Sequence, residues 1–216
     1  MDLIFERMPA TLELVAVAAC LVLCIAIPLG VYAGAYPKRA SSKLIMSGSI
    51  LGISLPSFWV GMMMIYIFAV VLRLLPASGR GNTVMVGNVA LSIFAPGGIR
   101  YVILPAITLA LTNVATMLRL TRSGILENMR QDYIKFARAK GVPAKSILFG
   151  HALKNALIPV VTIFGMDLGN MIAFTTITET IFAWPGMGKL LIDAINKSDR
   201  PIIVAYLMAA AACLWC

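Results

Sequence analysis

The chain has 216 residues, of which 60% are hydrophobic and only 12% charged, with a mean hydropathy of +0.92. Soluble domains carry about a quarter charged residues, so this composition excludes one and indicates an all-α polytopic membrane protein. The net charge of +9 would suggest nucleic acid in a soluble protein, but here the 18 Lys and Arg residues read as topology signals and no nucleic-acid partner is expected.

A spanning helix needs about 20 mainly apolar residues. Five spans are expected on this basis, at 12–36, 44–75, 101–118, 158–182 and 201–216, in one transmembrane domain over 1–216. The first seven residues, MDLIFER, lack a basic n-region, so the first span does not resemble a cleaved signal peptide. Span one contains Pro28 and Gly30, which neighbouring helices can accommodate. Ser54-Leu55-Pro56-Ser57 should kink span two near its middle. Residues 76–100, with GRGN and APGG, read as an external loop with little regular structure. Trp184-Pro185-Gly186 marks the exit from span four, and 187–196 can form a short outer helix.

Cys20 and Cys24 fall inside span one and Cys213 and Cys216 inside span five. No histidine accompanies them, so they read as small hydrophobes, and neither a metal nor a cofactor is expected. The 13 methionines read as packing.

The longest polar stretch is the loop at 119–157, between spans three and four. It holds Arg119, Arg122, Arg130, Lys135, Arg138, Lys140, Lys145 and Lys154 against two acids, Glu127 and Asp132. With Lys38, Arg39 and Lys43 after span one, its side carries eleven basic residues against seven on the other. The bias places this loop in the cytoplasm and the amino terminus outside. Apolar residues recur through it at helical spacing, Gly141 interrupts the pattern, and Pro143 can begin a new helix. Two short amphipathic helices are therefore expected, joined at Gly141-Val142-Pro143. Spacing alone leaves two readings open: docking in a groove of another protein, or lying on anionic lipid.

The same loop resembles the EAA loop of the permease subunits of binding-protein-dependent ABC importers. Anchored on Gly141, the first three positions of that pattern fall on Lys135, Phe136 and Ala137, and the last four on His151 to Lys154. Ala137, Gly141 and Leu153 match; the Glu, the first Ala, the Ile and the Pro do not. The wording DYIKFARAKG and HALKNALIPV resembles the dipeptide/oligopeptide/nickel branch, as do ETIFAWPGMG at 179–188 and PATLEL at 9–14.

The resemblance implies a permease subunit that imports peptides or nickel chelates, forms half of a translocation path, and sits in a prokaryotic inner membrane. It implies no catalysis by this chain, which also lacks the phosphate-cradling G-x-x-x-x-G-K-[ST] pattern. The implied partners are ATP-binding subunits, a second homologous permease, an external substrate-binding protein and the bilayer. ATPase coupling would fall to Lys135, Phe136, Ala137, Gly141, Pro143, His151 and Leu153. Asp167 lies near mid-span, where a charge normally faces a cavity or a partner, and Asn170 follows it. These two are candidates for the path wall or for a helix–helix hydrogen bond. Glu179, Trp184, Pro185 and Gly186 are candidates for binding-protein contact, or merely close the helix. His151 is the one histidine and is cytoplasmic, so an imidazole relay within the membrane is not expected. Relatives usually begin with a further helix and continue to a basic tail, so the chain reads as truncated at both ends. The alternatives are a secondary transporter or channel subunit, which predicts internal repeats, and a non-functional permease fragment.

Overall fold

The computed structural model describes residues 2–86 and 89–215. In chain order its elements are α1 (Asp2–Ala35), α2 (Ala40–Ser54), α3 (Ser57–Met64), β1 (Val84–Val86), β2 (Val89–Leu91), α4 (Ile99–Asn128), α5 (Asp132–Ala139), α6 (Ala144–Ser146), α7 (Leu153–Phe174), α8 (Thr176–Ile181), α9 (Met187–Asn196) and α10 (Arg200–Trp215). A π-helical segment, Ile65–Val71, continues α3, and another, Ile147–Ala152, joins α6 to α7.

Among the described residues three helices are long and apolar enough to cross a bilayer: Glu6–Ala35, Ile99–Asn128 and Ala144–Ala173. Ala40–Ser54 and Ser57–Val71 form a fourth if the broken pair counts as one span. The break falls at Leu55 and Pro56, as the sequence suggests, because proline offers no N–H and disfavours a helical residue before it. α10 has 16 residues, a rise of about 24 Å against a hydrocarbon core of about 30 Å. Several boundaries differ from the sequence expectation. α1 begins at Asp2, and from Ala144 the helix runs unbroken to Ala173, so the expected second short helix is the start of a long one. α4 runs on through Arg119 to Asn128, so the start of the expected loop is helix. α7 ends at Phe174, and Thr176–Ile181 forms the separate α8.

The chain divides into two compact units. One comprises Met1–Leu21, Leu55–Ala110 and Asp167–Cys216; the other comprises Val22–Ser54 and Leu111–Met166. In the first, Leu14, Val102, Leu104, Phe182 and Trp184 are buried, and Met187 of α9 packs with Tyr206 of α10. The expected irregular loop contains a small hairpin, with Val84 opposite Leu91 and Met85 opposite Ala90. Its β-branched and aliphatic residues favour an extended backbone.

In the second unit, small residues let α1 approach α4. A Cβ on Gly30 would lie 2.7 Å from that of Thr121, and one on Gly34 would lie 2.7 Å from that of Ile125. Gly30 and Gly34 form a G-x-x-x-G pair, the spacing that puts two small residues on one helix face. Below them Val31, Ile125, Ile134, Ile147, Ala152 and Ala156 form a buried cluster.

Candidate functional site

The basic loop is built on that cluster. α5 presents Ile134 to it, fully buried, and the following π-helical segment presents Ile147. Between them the chain reverses at Gly141, whose φ is +78, and Pro143 caps α6 with an extended backbone. Left-handed backbone is nearly free for glycine and strained for most other residues. Tyr133 braces the loop: its hydroxyl donates to Asn128 Oδ1 at 2.8 Å and accepts from Asn155 Nδ2 at 3.0 Å. α4, α5 and α7 are thereby tied together. Gly124 adds close contact, since a Cβ there would lie 3.1 Å from that of Ala156.

The expected coupling residues divide by exposure. Ala137 and Leu153 are half-buried against the cluster. Lys135, Phe136, Gly141, Pro143 and His151 are exposed. Phe136 is 62% exposed and Phe149 56%, so two aromatic rings stand on the outside of a braced loop. Lys135 pairs with Asp132 at 2.8 Å on the surface, a contact that contributes little to stability.

Asp167 is half-buried in α7 and is hydrogen-bonded by Asn170, which is exposed. One side of α7 is buried at Ala156, Val160 and Met171, while Ile158, Val161 and Met166 are 65–69% exposed.

The four outer-face candidates divide by burial. Glu179, Trp184 and Gly186 are interior, and only Pro185 of the four is partly exposed. Glu179 is instead the anchor of the turn. Its Oε1 accepts from Thr11 Oγ1 at 2.6 Å and its Oε2 from the Lys189 amide at 3.0 Å. Thr11 Oγ1 in turn accepts from the Met187 amide at 2.8 Å. The orphan amides at the start of α9 thus end on Thr11 and Glu179, and the helix dipole favours the negative charge placed there. Trp184 Nε1 donates to the Ala10 carbonyl at 2.8 Å. Gly186 and Gly188 are small because the carboxylate lies against them: Cβ atoms there would meet Glu179 oxygens at 2.2 Å and 3.0 Å. α8 lies beyond the span ending at Ala173. Burial pushes the Glu179 carboxyl above its ordinary range, while Thr11 and the Lys189 and Gly188 amides favour the ionised form.

Glu13 is also interior. Its Oε1 accepts from the Ser92 amide, the Ser92 hydroxyl and the Ile93 amide at 2.6, 2.9 and 2.7 Å. Its Oε2 accepts from Arg80, whose guanidinium also donates to the Ala90 carbonyl at 2.6 Å. One buried carboxylate on α1 therefore clamps the hairpin.

A profile of the family described as binding-protein-dependent transport system inner membrane component matches residues 26–216. The chain belongs to this family. It is a multi-pass component of a prokaryotic inner membrane. The oligopeptide transport system permease protein AppB of Bacillus subtilis (strain 168) is 40% identical over 210 residues, covering 97% of this chain and 65% of the relative. The di/tripeptide transport system permease protein DppB of Pseudomonas aeruginosa (strain UCBPP-PA14) is 40% identical over 207 residues, covering 90% and 62%. The dipeptide transport system permease protein DppB of Escherichia coli (strain K12) is 36% identical over 212 residues, covering 91% and 62%. The chain thus spans somewhat under two thirds of the length of these relatives.

Two structural residues were hidden in the sequence: Thr11 and Arg80 act through partners 168 and 67 residues away. The G-x-x-x-G spacing of Gly30 and Gly34, in contrast, was a visible signal for helix contact.

Proposed function

We propose that this chain is the permease subunit of an ATP-driven peptide importer, forming half of the translocation path. Its partners are a second homologous permease, separate ATP-binding subunits that hydrolyse ATP, and an external substrate-binding protein. The relatives' names carry the peptide assignment.

The observation that carries the coupling role is the braced loop with exposed Phe136 and Phe149. A flexible loop would absorb a push from the ATP-binding subunit; one tied to α4 and α7 transmits it as a rigid body. An exposed aromatic on a short amphipathic helix is the anchor that a groove accepts. The half-buried Ala137 and Leu153 hold the loop's shape, and Lys135, Pro143 and His151 form its rim. At the outer face, contact with the binding protein falls to the surface of the α8–α9 turn around Pro185, while Glu179, Trp184 and Gly186 keep that turn rigid.

The test is co-expression with the ATP-binding subunits and the partner permease, followed by co-purification and uptake. Phe136→Ala should weaken recruitment of the ATP-binding subunits by about 2 kcal/mol, roughly thirtyfold. A Cβ at Gly141 would meet no atom within 4 Å, and Asp is among the residues that tolerate left-handed backbone, so Gly141→Asp fits the turn. It should insert normally and lose coupled uptake. Wild-type recruitment by the first variant and normal uptake by the second would remove the coupling assignment.

A further inference from the structure

A cavity of about 480 Å³ in the first unit is lined by both ends of the external loop. Its wall carries two guanidinium groups, Arg73 and Arg100, with Asn82 and Tyr101, and no acid. Among the described residues neither arginine belongs to an ion pair, whereas Arg80 on the same loop is paired with Glu13. Two cations sharing one cavity repel each other, and an oxyanion between them relieves that repulsion.

The cavity wall is shaped by an unusual backbone. Arg73, Gly81 and Gly97 have φ of 51, 69 and 78. A residue with a long side chain adopts such a φ only where its surroundings over-determine it. Gly81 lies flat on the Tyr101 ring, where a Cβ would meet ring carbons at 2.6 and 2.7 Å. The volume lies in the range of small-molecule pockets, about 300–1,000 Å³, and exceeds what a lone ion fills.

The surroundings select the source of the anion. Arg73 follows the apolar segment that ends at Val71, and Arg100 is the second residue of α4. Both arginines therefore stand where spanning segments reach the interface. Val71, Leu72, Leu74, Phe94 and Ile99 nearby are 49–66% exposed. A soluble acid has no use for that apolar collar, whereas acyl chains do. We propose that this cavity binds the headgroup of an anionic phospholipid of the outer leaflet, its phosphate held between Arg73 and Arg100. The planar guanidinium fork suits phosphate oxygens, the same chemistry by which basic pockets between membrane helices hold anionic headgroups on the cytoplasmic side.

The test compares phosphatidylglycerol with phosphatidylcholine as probes of the full chain. Wild type should retain phosphatidylglycerol through purification, and its melting temperature should rise with added phosphatidylglycerol and not with phosphatidylcholine. Arg73→Asn suits the left-handed backbone and Arg100→Gln suits a first helical turn, so the double variant should fold. It should bind phosphatidylglycerol about thirtyfold more weakly, two basic contacts being lost. Equal stabilisation of the wild type by both lipids overturns the proposal without any variant being needed. Displacement of the lipid by inorganic phosphate or by a peptide carboxylate at equal concentration also overturns it, and makes the cavity a site for soluble anions. Unchanged retention by a folded double variant does the same. None of these outcomes depends on transport.

Discussion

The carboxylate of Glu179 receives donors on both oxygens, Thr11 on one and the Lys189 amide on the other. A glutamine can accept on only one oxygen, and its amide group would face a donor. Glu179→Gln should therefore cost about 2–4 kcal/mol, because a buried donor left facing another donor loses its full solvation. Thermal unfolding in detergent measures this directly. A wild-type melting temperature would mean instead that burial holds the acid neutral and that it donates to one neighbour. Gly188 belongs to the same knot. A Cβ there would lie 2.5 Å from the Thr176 Cα, a backbone atom that cannot swing aside. This accounts for the two glycines of the Trp-Pro-Gly-Met-Gly turn as packing requirements around a buried charge.

At the scale of elements, α1 and α4 are held together by the absence of side chains. Gly34→Leu places a branched side chain where even a Cβ would lie 2.7 Å from the Cβ of Ile125. Overpacking of this kind costs about 1–3 kcal/mol. In a membrane the effect is undiluted, since close packing is itself the main attraction between helices. The variant should insert, melt at lower temperature and loosen the loop below it, detected as faster proteolysis between α5 and α6. Gly48→Leu is the control, because nothing lies within 4 Å of its Cβ position. Equal proteolysis of the two variants would show that Gly34 does not support the loop.

The same elements show what a sequence makes legible. The first short helix and the turn at Gly141-Val142-Pro143 were readable because glycine and proline act locally; the second was not, since from Ala144 the helix runs on without a break to Ala173. The break at Pro56 was readable for the same local reason. The end of α4 was not, because Arg119 and Arg122 suggested a loop while Ile125 packs on the buried cluster and keeps the helix going. The clamps of Glu13 and Glu179 were hidden for a different reason. Thr11 and Glu179 are 168 residues apart and Arg80 and Glu13 are 67 apart. No periodicity connects such pairs, and an acid near a helix end looks solvated until the fold closes over it.

At the scale of the whole molecule, the stretch containing α7 is the most open of the three long apolar helices among the described residues. In the spanning stretch Ala144–Ala173, only 17% of the apolar window is buried within the chain, against 44% and 50% for Glu6–Ala35 and Ile99–Asn128. An apolar helix that uncovered faces lipid or another subunit. Asp167 bears on which. Asp167 lies six residues before the end of that stretch, where a carboxylate facing hydrocarbon is still unfavourable, so its side of α7 faces water or a polar partner. Under the translocation reading that side lines the path, with Asn170 beside it. Asp167→Asn keeps the size and the hydrogen-bonding capacity and removes the charge. It should leave assembly with the second permease and the melting temperature unchanged, while altering which peptides are taken up by charge. Asp167→Leu removes polarity altogether and should reduce uptake of every substrate. If Asp167 instead bonds a neighbouring helix, the order reverses. Leucine would then lower the melting temperature and the yield of permease pairs, and the peptides still imported by either variant would keep the wild-type preference. Competition uptake with cationic, neutral and anionic dipeptides, read beside the melting curves, separates the two.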